Sequence, residues 1–358
     1  MPPLARLPLL ILGFLGLFAG IGAGLARLGW SVPDVAASAS AMHGPLMICA
    51  FFGTVISLER AVAIGRRWAY AGPLFAGLGG IATIASATSV APWLFLLGSL
   101  VLLAATLDIL RRQTAMFTFT LTLGALCWST GNALWAQGAT VHAVVPWWLA
   151  FLILTIAGER LELSRFLPPS PFARRAFALI LAGIVAGLLG AATGWGPSVF
   201  GGSLFALALW LGKQDIARRT VRGKGLTRFI AVCLLSGYAW LALGGAVVVA
   251  AGGLAPGSPA YDAALHALAL GFVFAMVFGH APIIFPAVLR VAVPYHPTFY
   301  LPLAVLHLSL VVRLAGDATA QFDWIRIGGA LNALALVTFI ASTASAVARG
   351  WRAPPAAA

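Results

Sequence analysis

Twelve apolar runs, most about twenty residues long, the eighth shorter, and joined by short charged connections, leave this chain few folds to choose from. They lie near residues 8–26, 36–58, 69–88, 92–110, 116–135, 142–161, 175–193, 198–212, 228–250, 261–285, 298–315 and 326–347. As α-helix, a run of that length crosses the roughly 30 Å hydrocarbon core of a bilayer. The other structure that satisfies its backbone in lipid, a closed barrel, needs strict alternation of apolar and polar residues, and none is seen. The expected fold class is therefore an all-α polytopic membrane protein with twelve transmembrane helices in a single integral domain, residues 1–358. A content of 61% hydrophobic and 9% charged residues excludes a soluble globular chain. MPPLAR and the run after it resemble a signal peptide, but no small-residue cleavage site leads into a polar sequence, so this run counts as the first span.

The formal net charge of +13 would point to nucleic acid in a soluble protein. Here the basic residues sit in clusters between spans, so they report topology; the expected partner is the lipid bilayer and not nucleic acid. All of the 22 Lys and Arg except Arg27, Arg313 and Arg326 fall at the N-terminus or after even-numbered spans, Arg165 among them. The positive-inside rule then puts both termini on the cytoplasmic side of a bacterial-type inner membrane. Trp30, Trp93, Trp135, Trp147, Trp148, Trp195 and Trp324 fall near the outer ends, where an interfacial aromatic belt is expected.

Histidines stand out against this background. The stretch LHALALGFVFAMVFGHAPIIFPAVLR places His266 and His280 on one span, about 21 Å apart along a helix, too far to share one metal. The second, sixth and tenth spans each run from outside to inside and each carry a histidine near the start: His43, His142 and His266. The second and sixth also end alike, in Ser57-Leu58-Glu59-Arg60 and Ala157-Gly158-Glu159-Arg160. A recurrence every four helices predicts three four-helix units, approximately residues 1–112, 113–220 and 221–358. Glu-Arg pairs that merely mark cytoplasmic helix ends explain the second match equally well.

His43 and His266 fall at similar depth below the outer boundary, which is what a haem or metal held between two imidazoles requires. Gly44 and Gly271 remove bulk where a flat macrocycle would lie. The competing reading has each histidine hydrogen-bonding a neighbouring helix. His142, at the outer mouth of its span, is a candidate for a second metal. His280 precedes Pro282 and Pro286 and is a candidate either for a metal or for the carbonyls those prolines free, and His307, mid-span, suits ligation or a structural hydrogen bond. His296 lies between Pro294 and Pro297 in a loop and reads as a loop residue. Cys49, Cys127 and Cys233 stand singly in apolar segments and read as packing residues. The nine carboxylates all lie toward span ends, which argues against a proton pump.

HALALG from His266 to Gly271, RVAVPYH from Arg290 to His296, HGPLM in the second span and GERLELSRF ending the sixth resemble the NnrS family. That family resembles subunit I of the haem-copper oxidases, and the resemblance implies twelve helices, pseudo-threefold four-helix units and low-spin haem ligands on the second and tenth helices. Pro45 stands where the family offers a second histidine, and Gly-Glu-Arg replaces its Gly-Gly-Arg. The seventh span has no His-His pair, so an oxidase-type three-histidine copper site is not recognisable. The expected function is that of a haem protein, with copper or another second metal as a further possibility. The resemblance implies a role in nitric oxide or nitrosative-stress chemistry; a small gaseous or redox ligand is a candidate, and the sequence identifies no electron-transfer partner. Helix number alone offers a different class, a secondary transporter.

Overall fold

The computed structural model describes residues 2–163 and 169–352. Arg165 and the Ser164-Arg165-Phe166 end of the GERLELSRF motif lie outside the described residues. Among the described residues there is no strand. The long helical segments, in order, are α1 (Leu7–Arg27), α2 (Ser40–Ile64), α3 (Ala71–Ile84), α4 (Ala91–Arg112), α5 (Met116–Ala136) and α6 (Val141–Leu163). They continue with α7 (Pro171–Leu189), α8 (Gly196–Gln214), α9 (Gly225–Ala250), α10 (Pro259–Leu289), α11 (Tyr300–Thr319) and α12 (Phe322–Arg352). Among the described residues nine of the helices are long and apolar enough to cross a membrane. The other three are α3, which has 14 residues, and α5 and α8; α5 is diluted by Thr118, Thr120, Thr122, Ser129 and Asn132. The protein is thus a polytopic helical membrane protein. Large apolar side chains stay exposed along these helices, Leu15, Phe18, Leu97 and Leu100 in the N-terminal half and Leu179, Leu308 and Val311 in the C-terminal half. Water penalises that much apolar surface and lipid does not.

Helix starts follow ordinary rules. Pro92, Pro171, Pro197 and Pro259 occupy first-turn sites, where a missing N–H goes unnoticed. Ser170 Oγ accepts from the Ala173 N–H at the start of α7, and Ser258 Oγ from the Tyr261 N–H at the start of α10.

The chain divides into two compact units, Met1–Leu163 and Ser164–Ala358, the first built from α1 to α6 and the second from α7 to α12. In the first unit α1 and α2 run antiparallel along a strip of glycines. A Cβ added to Gly16 would stand 2.8 Å from the Ala50 Cβ, one on Gly20 would stand 2.6 Å from the Met47 sulfur, and one on Gly24 would stand 2.8 Å from Cε1 of His43. Close backbone approach of this kind replaces the missing hydrophobic drive between helices in lipid, because it maximises dispersion contact. The second unit repeats the device between α9 and α10, where a Cβ on Gly244 would stand 2.7 Å from Leu268 and one on Gly279 would stand 3.0 Å from the Cys233 Cβ.

One local feature was not anticipated. Both α2 and α10 are interrupted by π-helical turns, at Leu46–Phe52 and at Ala267–Phe274. Such turns are rare and are common next to functional sites. Two residues differ from their sequence-based expectation. Gly271 does not open space for a macrocycle, because the ring of Trp240 fills the place its Cβ would take. Trp148 is not an interfacial belt residue: it is fully buried, and its Nε1 donates to Asn132 Oδ1 at 3.0 Å.

Candidate functional site

His43 sits in the first turn of α2, three residues before its π segment, and His266 in the second turn of α10, directly before the other. Counted from the helix starts, the two rings differ by a turn, so what they share is their place at the entrance to a π segment. Nδ1 of His43 lies 2.7 Å from the Gly20 carbonyl oxygen, and Nδ1 of His266 lies 2.8 Å from the Asp262 carbonyl oxygen. A carbonyl only accepts, so in both rings Nδ1 carries a proton, and in the neutral ring the lone pair is then on Nε2. That tautomer is the one a metal-bound imidazole adopts when its other nitrogen is anchored by a backbone carbonyl. Gly24 is what lets the His43 ring lie flat against α1. The donor set therefore fits an iron bound through Nε2.

The second unit surrounds His266 with charge that sequence reasoning missed. The Asp262 carboxylate also reaches Nδ1 of His266, at 3.3 Å, and is gripped by Arg313, Nε to Oδ2 at 2.6 Å and a terminal nitrogen to Oδ1 at 2.8 Å. Arg313 is 6% exposed and Asp317, one turn further on α11, is also 6% exposed and lies beside Asp262. Lipid and packed helices leave a lone guanidinium no water, so the bidentate ion pair holds it in place. The signal was present as two four-residue spacings, Asp262 to His266 and Arg313 to Asp317.

The remaining histidines divide by geometry. His280 places Nδ1 2.7 Å from the Met276 carbonyl, one turn back. The carbonyls that Pro282 and Pro286 free belong to Phe278 and Pro282, so this hydrogen bond goes to neither of them. His307 is held at both nitrogens, with Trp240 Nε1 donating to Nδ1 at 2.9 Å and Nε2 2.9 Å from Ser236 Oγ. Its lone pair is used by the indole, which fixes a neutral ring with its proton on Nε2. His142 is exposed at the start of α6, and His296 accepts from the Thr298 N–H as a loop cap. Among the described residues no three His, Cys, Asp or Glu side chains gather into a metal site.

In the first unit the two Glu-Arg helix ends come together: Arg60 of α2 lies 3.9 Å from Glu159 of α6. All three cysteines are buried and form no disulfide. Cys49, inside the π segment of α2, belongs to a polar network in which Trp128 Nε1 donates to its sulfur and the thiol donates to Asn132 Oδ1, each at 3.5 Å.

A family profile described as a domain of unknown function, DUF8744, matches residues 6–348. The chain belongs to the DUF8744 family. No curated protein matches it. The matched range takes in both π-interrupted helices of this DUF8744 protein, together with His43, His266, Asp262 and Arg313.

Proposed function

We propose that this DUF8744 protein is a haem-binding protein of the inner membrane, with His43 and His266 as iron ligands. One observation carries the reading: each ring is anchored through Nδ1 on a backbone carbonyl at the entrance to a π segment, so Nε2 is the donor nitrogen. Iron ligated in this way supplies one-electron chemistry. The protein's own residues do the positioning: Gly20 and Gly24 orient His43, while Asp262, held by Arg313, orients His266. The twelve-span, oxidase-like arrangement with cytoplasmic termini belongs to the same proposal. So does a role in nitric oxide or nitrosative-stress chemistry, which the NnrS resemblance alone supplies.

The test is the absorption spectrum of the purified protein. A low-spin haem spectrum is expected, and His43→Ala or His266→Ala abolishes it or converts it to a high-spin one, whereas His296→Ala leaves it unchanged. A low-spin spectrum at full occupancy in either of the first two variants would reassign these residues to packing. For the physiological part, a deletion strain is sensitive to nitric oxide and is rescued by the intact gene but not by the His266→Ala gene. Rescue by that variant counts against it.

A second reading, a secondary transporter, draws on the burial of Arg313 and Asp317 inside an apolar helix, where ionisable residues commonly line substrate or proton routes. Colourless protein in liposomes that moves a solute against a gradient would favour it over the haem reading.

A further inference from the structure

A second site lies in the C-terminal unit, away from both histidines in the sequence. The first two turns of α9 and the chain from Tyr295 to Tyr300 form an open pocket of about 480 Å³ lined by Lys224, Gly225, Arg228, Val232, Tyr295 and Tyr300. Lys224 and Arg228 are exposed one helical turn apart, and neither has an ion-pair or hydrogen-bond partner among the described residues. The residue before the helix supplies no side-chain cap, so the positive end of a 26-residue helix faces the same place. The two tyrosines are half-buried, with Tyr300 edge-on to Phe229 and Tyr295 edge-on to Phe299. That packing holds the rings at the cavity wall, each with a hydroxyl to donate. Val232 adds an apolar wall one turn further along a spanning helix.

We infer that this cavity binds a phosphate ester, with the phosphate between Lys224 and Arg228 and the tyrosine hydroxyls on its oxygens. The charge selects an anion. The paired cations suit the several oxygens of one phosphate group, and an apolar wall beside a polar pocket at the end of a spanning helix suits the glycerol and first acyl carbons of an anionic phospholipid. Soluble phosphate esters share the first two features and lack the third.

Native mass spectrometry of the full chain in detergent tests this with phosphatidylglycerol, phosphatidylcholine and glycerol 3-phosphate as probes. Phosphatidylglycerol binds in preference to phosphatidylcholine, and the Lys224→Ala/Arg228→Ala variant loses roughly 25-fold in affinity, about a factor of five for each basic residue. Tyr295→Phe/Tyr300→Phe, which keeps both rings, loses a smaller factor. The control is Arg219→Ala/Arg222→Ala, equal in charge and exposed nearby, and it retains wild-type binding. Competition by equimolar glycerol 3-phosphate identifies the ligand as a soluble phosphate ester at the same site. Equal losses in the control and the Lys224/Arg228 variant overturn the inference, because diffuse positive charge then explains the binding. So does wild-type binding in the Lys224/Arg228 variant, or the absence of binding by all three probes. Helical circular dichroism and a single size-exclusion peak establish that each variant is folded.

Discussion

Arg313 holds the Asp262 carboxylate by two nitrogens, at 2.6 Å and 2.8 Å, and Asp262 in turn places an oxygen 3.3 Å from Nδ1 of His266. The chain of contacts ties α11 to the histidine of α10 and gives Asp262 two tasks. Arg313→Ala leaves the carboxylate without its cation and is expected to destabilise the protein by roughly 3 kcal/mol, read as a lower unfolding temperature in detergent. Asp262→Asn keeps the shape but weakens the acceptor facing His266. Haem retention in this variant falls by about tenfold to a hundredfold. Retention equal to wild type would mean that Asp262 serves folding alone.

His307 gives the opposite expectation. Both ring nitrogens are already engaged, by Trp240 and by Ser236, so the ring is part of the packing between α9 and α11. His307→Ala strips the buried indole N–H of its acceptor and is expected to lower stability by about 1–3 kcal/mol. The haem spectrum stays as it is. Loss of the spectrum with unchanged unfolding temperature would move His307 into the iron site.

The division between what was legible and what was not follows from which forces leave a pattern in the chain. Burial in lipid needs about twenty apolar residues per crossing, so the helices appear close to their expected bounds: 92–110 was expected for α4, which runs Ala91–Arg112, and 142–161 for α6, which runs Val141–Leu163. The π turns in α2 and α10 left no such trace, since their residues are as apolar as an ordinary helix. His43 and His266 were visible because an imidazole is conspicuous on an apolar run. Asp262 and Arg313 were discounted as end charges, because their partnership depends on two helices 51 residues apart in sequence meeting in space. Gly271 misled for the same reason: a glycine shows where bulk is absent and only the fold shows that Trp240 fills the gap.

Basic residues set the expected orientation, and the stretch 213–228 with its six Lys and Arg is its clearest marker. Single cysteines introduced at Arg219 and Arg222, both exposed, are expected to react with a membrane-impermeant thiol reagent only after the membrane is opened. The native cysteines are buried and leave a low background. Labelling of intact cells from the periplasmic side would reverse the expected topology and with it the expected placement of both histidines near the outer face.

Gly24 offers the narrowest test of the His43 geometry. A methyl group there would lie 2.8 Å from Cε1 and 2.9 Å from Nδ1 of His43, closer than carbon and nitrogen tolerate, so the ring must swing off α1. Doing so breaks the 2.7 Å hydrogen bond to Gly20 and releases the tautomer that keeps the lone pair on Nε2. Gly24→Ala is therefore expected to lower haem affinity by about tenfold or to shift the spectrum toward high spin. Gly202→Ala is the control, because nothing lies within 4 Å of its added methyl. Helix propensity alone favours alanine by about 1 kcal/mol at both sites, so a stability measurement separates the two effects. If Gly24→Ala keeps a wild-type spectrum at full occupancy, the anchored ring of His43 is a packing feature of α1 and α2, and the iron ligand has to be sought elsewhere.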